Sequence, residues 1–366
     1  MRAIDPWSSK EIKYERAFAE FGLKPFPEKW KKELNHYLVE RMVIAHRDFG
    51  KVMQCIKEGK PFINMTGIAS SGSLHLGHKV IIDMFLLFKS FGAKNYFCIA
   101  DIEGYTSRPQ IRTMEQAKEI AANNLAHVLA FGLSKKDVYV QSNYKTRYYA
   151  FTFEISKKIT HNMFEATYGH VDLGKVSAAL LQYADILHAQ LPEFEGKMPS
   201  ITPIGLDQDP HARLTRDVVK RLPYDLEMPS FIYFKHQSGL LEGGKMSSSE
   251  PESAIFLDDG AEQIRQKVSN AFTGGRETAS LQRKLGGKPE ICKVCEILRF
   301  HYPDSAEVLR IMEECRKGKR LCGETKQFAI EFLTKLLKKH QQKAKKKEKL
   351  ARKIVYGKYI KTANVR

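Results

Sequence analysis

His75 and His78 stand three residues apart in the run FINMTGIASSGSLHLGH (62–78), and Lys245 opens the run KMSSS (245–249) far downstream. Two imidazoles and an amine that converge on one anion stabilise charge building on phosphate oxygens, so the set points to nucleotide chemistry. The first run reads as an apolar strand at Phe62–Met65, a small, turn-rich loop at Thr66–Ser73, and a helix at Leu76–Ser90 that is apolar on most faces. Small residues let backbone approach a ligand, and a helix start offers free N–H groups and a positive dipole end to an anion. A spacing of three puts both histidines on one face of that helix. Lys245 follows Gly243 and Gly244 on a flexible loop with three hydroxyls behind it. An isolated HxGH is as often a surface pair at a helix cap; two independent runs in this order weigh for a site.

The elements that must hold these residues follow from the rest of the chain. At 366 residues, 43% apolar and 28% charged, it is of ordinary globular composition and long enough for two domains. Sixty Lys and Arg against 42 Asp and Glu leave a net charge of +18, which calls for a polyanionic partner, nucleic acid before a membrane surface. The amino terminus lacks the apolar core of a signal peptide, and no stretch approaches ~18 uninterrupted apolar residues, so a cytoplasmic protein without membrane attachment is expected. In that compartment the six cysteines are thiols or metal ligands rather than disulfides.

Residues 1–54 read as a helical extension, with a packing role for Arg41–Phe49. Residues 55–258 alternate short apolar runs with amphipathic helices, the pattern of an α/β domain on a mainly parallel sheet. Its strands are expected at Phe62–Met65, Tyr96–Ala100, Val138–Gln141, Ile201–Ile204 and Phe231–Phe234. Ligands bind such sheets beyond the carboxyl ends of the strands, where the acidic runs Asp101–Glu103 and Asp207–Asp209 fall. Gln182 and Asp185 lie three apart on an otherwise apolar helix face, which favours a pocket role over solvation. From 259 to 366 the pattern is all helical, and Lys335–Lys353 holds ten Lys or Arg against Glu348 alone. That run suits contact with phosphates.

SGSLHLGH and KMSSS resemble the two signature motifs, HIGH and KMSKS, of class I aminoacyl-tRNA synthetases. PIGLDQDPHARLTRD (203–217) is similar to a block typical of the tryptophanyl-tRNA synthetases, and TGGRET (273–278), RKLGG (283–287), LCGE (321–324) and AHRDF (45–49) agree with it. The resemblance runs from about Tyr14 to Gln341 and is nearest to the archaeal and eukaryotic branch; tyrosyl enzymes lack the block. It implies a Rossmann-type catalytic domain followed by an all-helical anticodon-binding domain, working as a homodimer on L-tryptophan, ATP with Mg²⁺, and tRNA(Trp).

The resemblance also assigns roles. His75, His78 and Lys245 would be catalytic, the lysine neutralising departing pyrophosphate. Thr66, Gly67, Ser70, Gly77, Gly205, Asp207, Met246, Ser247 and Ser248 would bind ATP. Met65, Glu103, Gln182 and Gln208 would bind tryptophan, with the acceptor of the indole N–H open because eukaryotic relatives carry tyrosine where Met65 stands. Ile68 and Ala69 depart from the family's loop. Cys292, Cys315 and Cys322 match three positions of an iron–sulfur pattern whose fourth is Thr325 here; Cys295 could complete a four-thiolate site for zinc or a cluster. The broken pattern favours reduced thiols in a helical core. Two alternatives remain: a small-molecule nucleotidyltransferase, disfavoured by the basic helical third, and a non-catalytic tRNA-binding descendant, disfavoured by the intact histidines and lysine.

Overall fold

A computed structural model describes residues 22–169, 172–244, 246–247 and 250–357. Seven strands form one sheet: β1 (Lys24–Pro25), β2 (Val43–Arg47), β3 (Ile63–Ala69), β4 (Lys94–Ala100), β5 (Val138–Val140), β6 (Ser200–Gly205) and β7 (Ser230–Phe234), in the order β1-β2-β7-β6-β3-β4-β5. β3 to β7 are mutually parallel, and the order reverses at β3, between β4 and β6. Such a reversal splays the following helices apart and leaves a crevice at the strand ends.

β3 runs longer than expected. Thr66 to Ala69, read from the sequence as loop, pair in register with Phe97 to Ala100. Gly67 makes this possible, because a Cβ there would lie 2.6 Å from that of Cys98 and 2.8 Å from the Cys98 carbonyl oxygen. The turn-like composition of TGIAS thus records a close strand pairing as much as a loop.

The segment ahead of β3 is also not wholly helical. Helices α1 (Glu28–Leu34), α2 (Tyr37–Met42) and α3 (Gly50–Glu58) flank β2, which pairs antiparallel with β7 and extends the sheet. Val43 and Ile44 favour extended backbone, and β7, buried at every position, needs a partner on that side. Arg41 and Arg47 bracket β2 and pack it in place. The Arg41 guanidinium donates to the carbonyls of Arg299 (3.1 Å) and Tyr302 (2.9 Å), closing the end of a distant helix.

The strands alternate with α4 (Leu76–Ser90), α5 (Asp101–Ser107), α6 (Met114–Phe131), α7 (Thr146–Ser156), α8 (His161–Tyr168), α9 (Leu173–Leu187) and α10 (Asp209–Val219). After β7 only helices follow among the described residues: α11 (Ala261–Asn270), α12 (Ala279–Leu285), α13 (Lys293–His301), α14 (Ser305–Arg316) and α15 (Cys322–Tyr356). One apolar core passes from Ile82, Phe85 and Leu125 beside the sheet to Ile297, Leu333 and Leu337 in the later helices. No helix among the described residues is long and apolar enough to cross a membrane. α15 carries the basic run of residues 335–353 as unbroken helix.

Candidate active site

A cavity of about 870 Å³ opens at the carboxyl ends of β3, β4, β6 and β7, where the strand order reverses. Its histidine end is the start of α4. His75 is the helix cap in extended conformation; its Nδ1 accepts from the Gly77 N–H (3.1 Å), and His78 Nδ1 accepts from the His75 N–H (3.1 Å). Both Nδ1 atoms being acceptors, a neutral ring keeps its proton on Nε2, and the two rings, 4.0 Å apart, both line the cavity. Gly77 has to be small, since a Cβ there would fall 2.9 Å from the His75 ring.

The downstream motif reaches the same place. The Leu76 N–H donates to the Ile255 carbonyl (3.0 Å) and the Leu257 N–H to the Leu74 carbonyl (2.8 Å), stitching the segment after the KMSSS run to the start of α4. The Met246 N–H donates to the Gln237 carbonyl (3.3 Å), and Met246 and Ser247 line the cavity with the histidines. Lys245 and Ser248, on which sequence reasoning leaned, lie outside the described residues.

At the other end the polar groups are carboxylates and amides. Asp185 is buried on α9 and accepts from Tyr139 (2.6 Å), Tyr148 (2.6 Å) and Gln141 Nε2 (2.8 Å). Burial holds its carboxyl up at about 6 against those three donors. Glu103 on α5 is pushed up to about 7 by burial and then by the charge of Asp185, with Arg108 opposing. Glu103, raised by burial beside a second carboxyl group, is an acid whose charged form a cation such as an ammonium ion would favour. Gln182 Nε2 donates to Gln208 Oε1 (3.4 Å), and both amides line the cavity with Met65 and Cys98.

Of the residues expected to bind nucleotide, Thr66, Gly67, Gly77, Gly205, Asp207, Met246 and Ser247 line the cavity. Ser70 does not; it is fully buried, with its backbone against Gly104 of α5. The close partner of Gly205 is protein, since a Cβ there would meet the His236 ring at 2.2 Å, and His236 Nε2 is bonded to Asp207 (2.7 Å). In the PIGLDQDPHARLTRD block, Gly205, Asp207 and Gln208 face the cavity while Asp209, His211 and Arg216 are scaffold. Asp209 is buried and takes Arg47 Nε (2.9 Å) and Tyr233 (2.7 Å); His211 is bonded to Tyr168 (2.7 Å).

Sequence reasoning missed Arg108, which lines the cavity from the end of α5, and the Tyr139, Tyr148 and Gln141 set around Asp185. Tyrosines beside β5 read as ordinary strand and helix residues, and only the fold brings them to one carboxylate.

The four-thiolate site, the alternative that the broken pattern disfavoured, finds no support. Among the described residues no three His, Cys, Asp or Glu side chains are arranged to hold a metal ion. Cys292 Sγ caps α13 by accepting from the Cys295 N–H (3.5 Å), and Cys322 donates to Gln282 Oε1 (3.4 Å), so local packing occupies these sulfurs.

Residues 57–338 match the family described as tRNA synthetases class I (W and Y). The chain belongs to that family. It is 41% identical to the tryptophan–tRNA ligase of Aeropyrum pernix, covering 96% of this chain and 97% of the relative. It is 37% identical to that of Methanocaldococcus jannaschii, covering 97% and 99%. The crystal structure of the Aeropyrum pernix K1 tryptophanyl-tRNA synthetase superposes with a TM-score of 0.87 at 40% identity, over 96% of this chain and 98% of that one. A class I synthetase uses ATP, and the cavity joins a helix start suited to phosphate with a carboxylate end suited to an ammonium ion.

Proposed function

We propose that this synthetase is a tryptophan–tRNA ligase. In the first step a carboxylate oxygen of tryptophan attacks the α-phosphorus of ATP, forming tryptophanyl-adenylate as the bond to pyrophosphate breaks. In the second, a ribose hydroxyl of the terminal adenosine of tRNA(Trp) takes the tryptophanyl group and AMP leaves. The observation that carries the reading is the single cavity with the His75–His78 helix start and Met246–Ser247 at one end and Glu103, Gln182 and Gln208 at the other.

His75 and His78, protonated at Nε2, donate to the α-phosphate oxygens as charge builds there. Lys245 neutralises the leaving pyrophosphate, with Ser247 and Ser248 on its oxygens. No side chain need act as base, because a carboxylate is already ionised at neutral pH. Thr66, Gly67, Gly77, Gly205, Asp207 and Met246 form the adenosine side, where Gly67 and Gly77 keep the wall flat. Glu103 takes the tryptophan ammonium, with Gln182 and Gln208 orienting it, while Met65 lines the ring slot. An apolar slot together with one satisfied indole N–H disfavours smaller side chains, which forfeit both contacts, so no editing site is needed. Mg²⁺ would travel with the triphosphate, whose oxygens supply the ligands that the described residues do not group together.

Residues 55–258 are read as the catalytic domain and 259–366 as the anticodon-binding domain, after a 1–54 extension. The basic face of α15 favours tRNA phosphates, and the enzyme is read as a cytoplasmic homodimer. The test is amino-acid-dependent exchange of labelled pyrophosphate into ATP across all amino acids. Tryptophan alone is expected to support it; exchange with tyrosine instead, or with none, overturns the reading.

A further inference from the structure

The turn Gln141–Asn143 after β5 carries three consecutive side chains bonded in three directions. Gln141 is fully buried. Its Nε2 donates to Asp185 (2.8 Å) and its Oε1 accepts from the Glu103 N–H (3.0 Å), so one amide ties both carboxylate-bearing helices of the cleft. The Ser142 N–H donates to Asp101 (2.9 Å), as does its hydroxyl; the same carboxylate accepts from the Ile102 N–H (3.0 Å), fixing the first turn of α5. Asn143 points the other way. Its Nδ2 donates to the carbonyls of Ile354 (3.1 Å) and Gly357, at the end of α15 where carbonyls lack helical partners. The helix end is held in place there by Arg352 on Glu119 (2.6 Å) as well.

A continuous bonded path therefore runs from the last carbonyls of the basic helix, through Asn143 and its two neighbours, to Asp185, the start of α5 and the Glu103 backbone. None of these three turn residues lines the cavity. We propose that Gln141 and Asn143 are positioning residues, through which the docking of the end of α15 sets the placement of Glu103 and Asp185 and hence the affinity of the cleft for its amino acid. The inference rests on reading the carboxylate end as the amino-acid pocket. It implies that a polyanion seated on α15 is felt in that pocket through a turn it never touches, a coupling carried by two sites and named intervening bonds.

Two substitutions at Asn143 test this in the full chain. Asn143→Ala removes the clamp, and Asn143→Asp keeps its shape but presents oxygens that cannot donate to carbonyls. Both are expected to keep the wild-type circular dichroism spectrum and kcat, leave the KM for ATP unchanged, and raise the KM for tryptophan about 3–10-fold, the size of one or two lost hydrogen bonds. Both are also expected to speed amide hydrogen exchange across residues 101–107, a measurement that needs no substrate. Gln141→Glu retains the acceptor for the Glu103 N–H but loses the donor to Asp185. It is expected to raise the KM for tryptophan and shift its pH dependence upward, which a purely structural loss would not do. If wild type shows no tryptophan-dependent exchange of pyrophosphate while Asn143→Ala loosens 101–107, the proposed activity fails and the coupling stands. If wild type is active and Asn143→Ala leaves the KM for tryptophan unchanged, the coupling is overturned, whatever happens to 101–107.

Discussion

At the histidine end of the cleft the polar groups come from a helix start and from a returning segment stitched to it by backbone bonds, and glycine opens the wall at Gly77. At the carboxylate end Asp185 alone has two tyrosine hydroxyls and a buried amide fixed on it before any ligand arrives. The first end suits a ligand whose phosphates bring their own charge. The second is built rigid, at the cost of two strained ionisations, which is what discrimination between side chains demands. On the proposed reading, chemistry falls to an end closed by a glycine-flanked loop, the pliable end, and selection to a stiff one.

The sharpest way to break this division is at the pliable end. Lys245→Ala is expected to reduce tryptophan-dependent pyrophosphate exchange about 10²–10³-fold while leaving the melting temperature unchanged, since a glycine-flanked loop contributes few core contacts. A variant that melts early or unfolds by circular dichroism removes the assignment.

At the stiff end Glu103→Gln should cost about 10–100-fold in kcat/KM for tryptophan, from loss of a charge-assisted bond to the ammonium. The sign on stability is opposite. A carboxyl held up at about 7, above its ordinary 4.5, makes the folded state the better proton binder, so stability is lost as pH rises from about 4.5 through 7. Glu103→Gln removes that loss and is expected to be more stable than wild type at pH 8, by up to about 3 kcal/mol, and no different at pH 4. For the same reason wild-type kcat/KM for tryptophan should climb between pH 6 and 7 as the two carboxyls ionise. Equal stability of variant and wild type at pH 8 would mean that this end is not strained.

The scaffold behind both ends is probed by Arg47→Met, which leaves buried Asp209 with Tyr233 and the half-exposed Arg213. Breaking a buried pair on one side costs about 2–4 kcal/mol here, read by chemical denaturation. The smallest effect belongs to the exposed face of α15. Lys346→Gln with Lys349→Gln should flatten the dependence of log tRNA affinity on log salt by at most about 1 per lysine and leave pyrophosphate exchange alone.

How much of this the sequence carried divides along the same line. The pliable end is written in a contiguous motif, so His75, His78 and the α4 start were legible from local periodicity, and the five parallel strands from their apolar runs. The stiff end is assembled from β5, α5, α7 and α9, and the buried tyrosines that set Asp185 have no local signature. Glycines carry a second meaning that the sequence hid: Gly67 and Gly205 line the cavity, and their small size is also demanded by Cys98 and the His236 ring. β2 escaped notice because an edge strand inside a helical stretch is decided by its partner β7 and not by its own five residues.

α15, 35 residues and about 50 Å long, is fastened along its length: His340 to His127 (2.9 Å), Gln341 to the Leu257 and Asp259 carbonyls (2.9 and 3.0 Å), and Arg352 to Glu119 (2.6 Å). A beam bolted at so many points has no joint. On the proposed reading its lysines meet the tRNA at fixed intervals, so a push on that row would move the helix as one piece and arrive undiminished at its clamped far end.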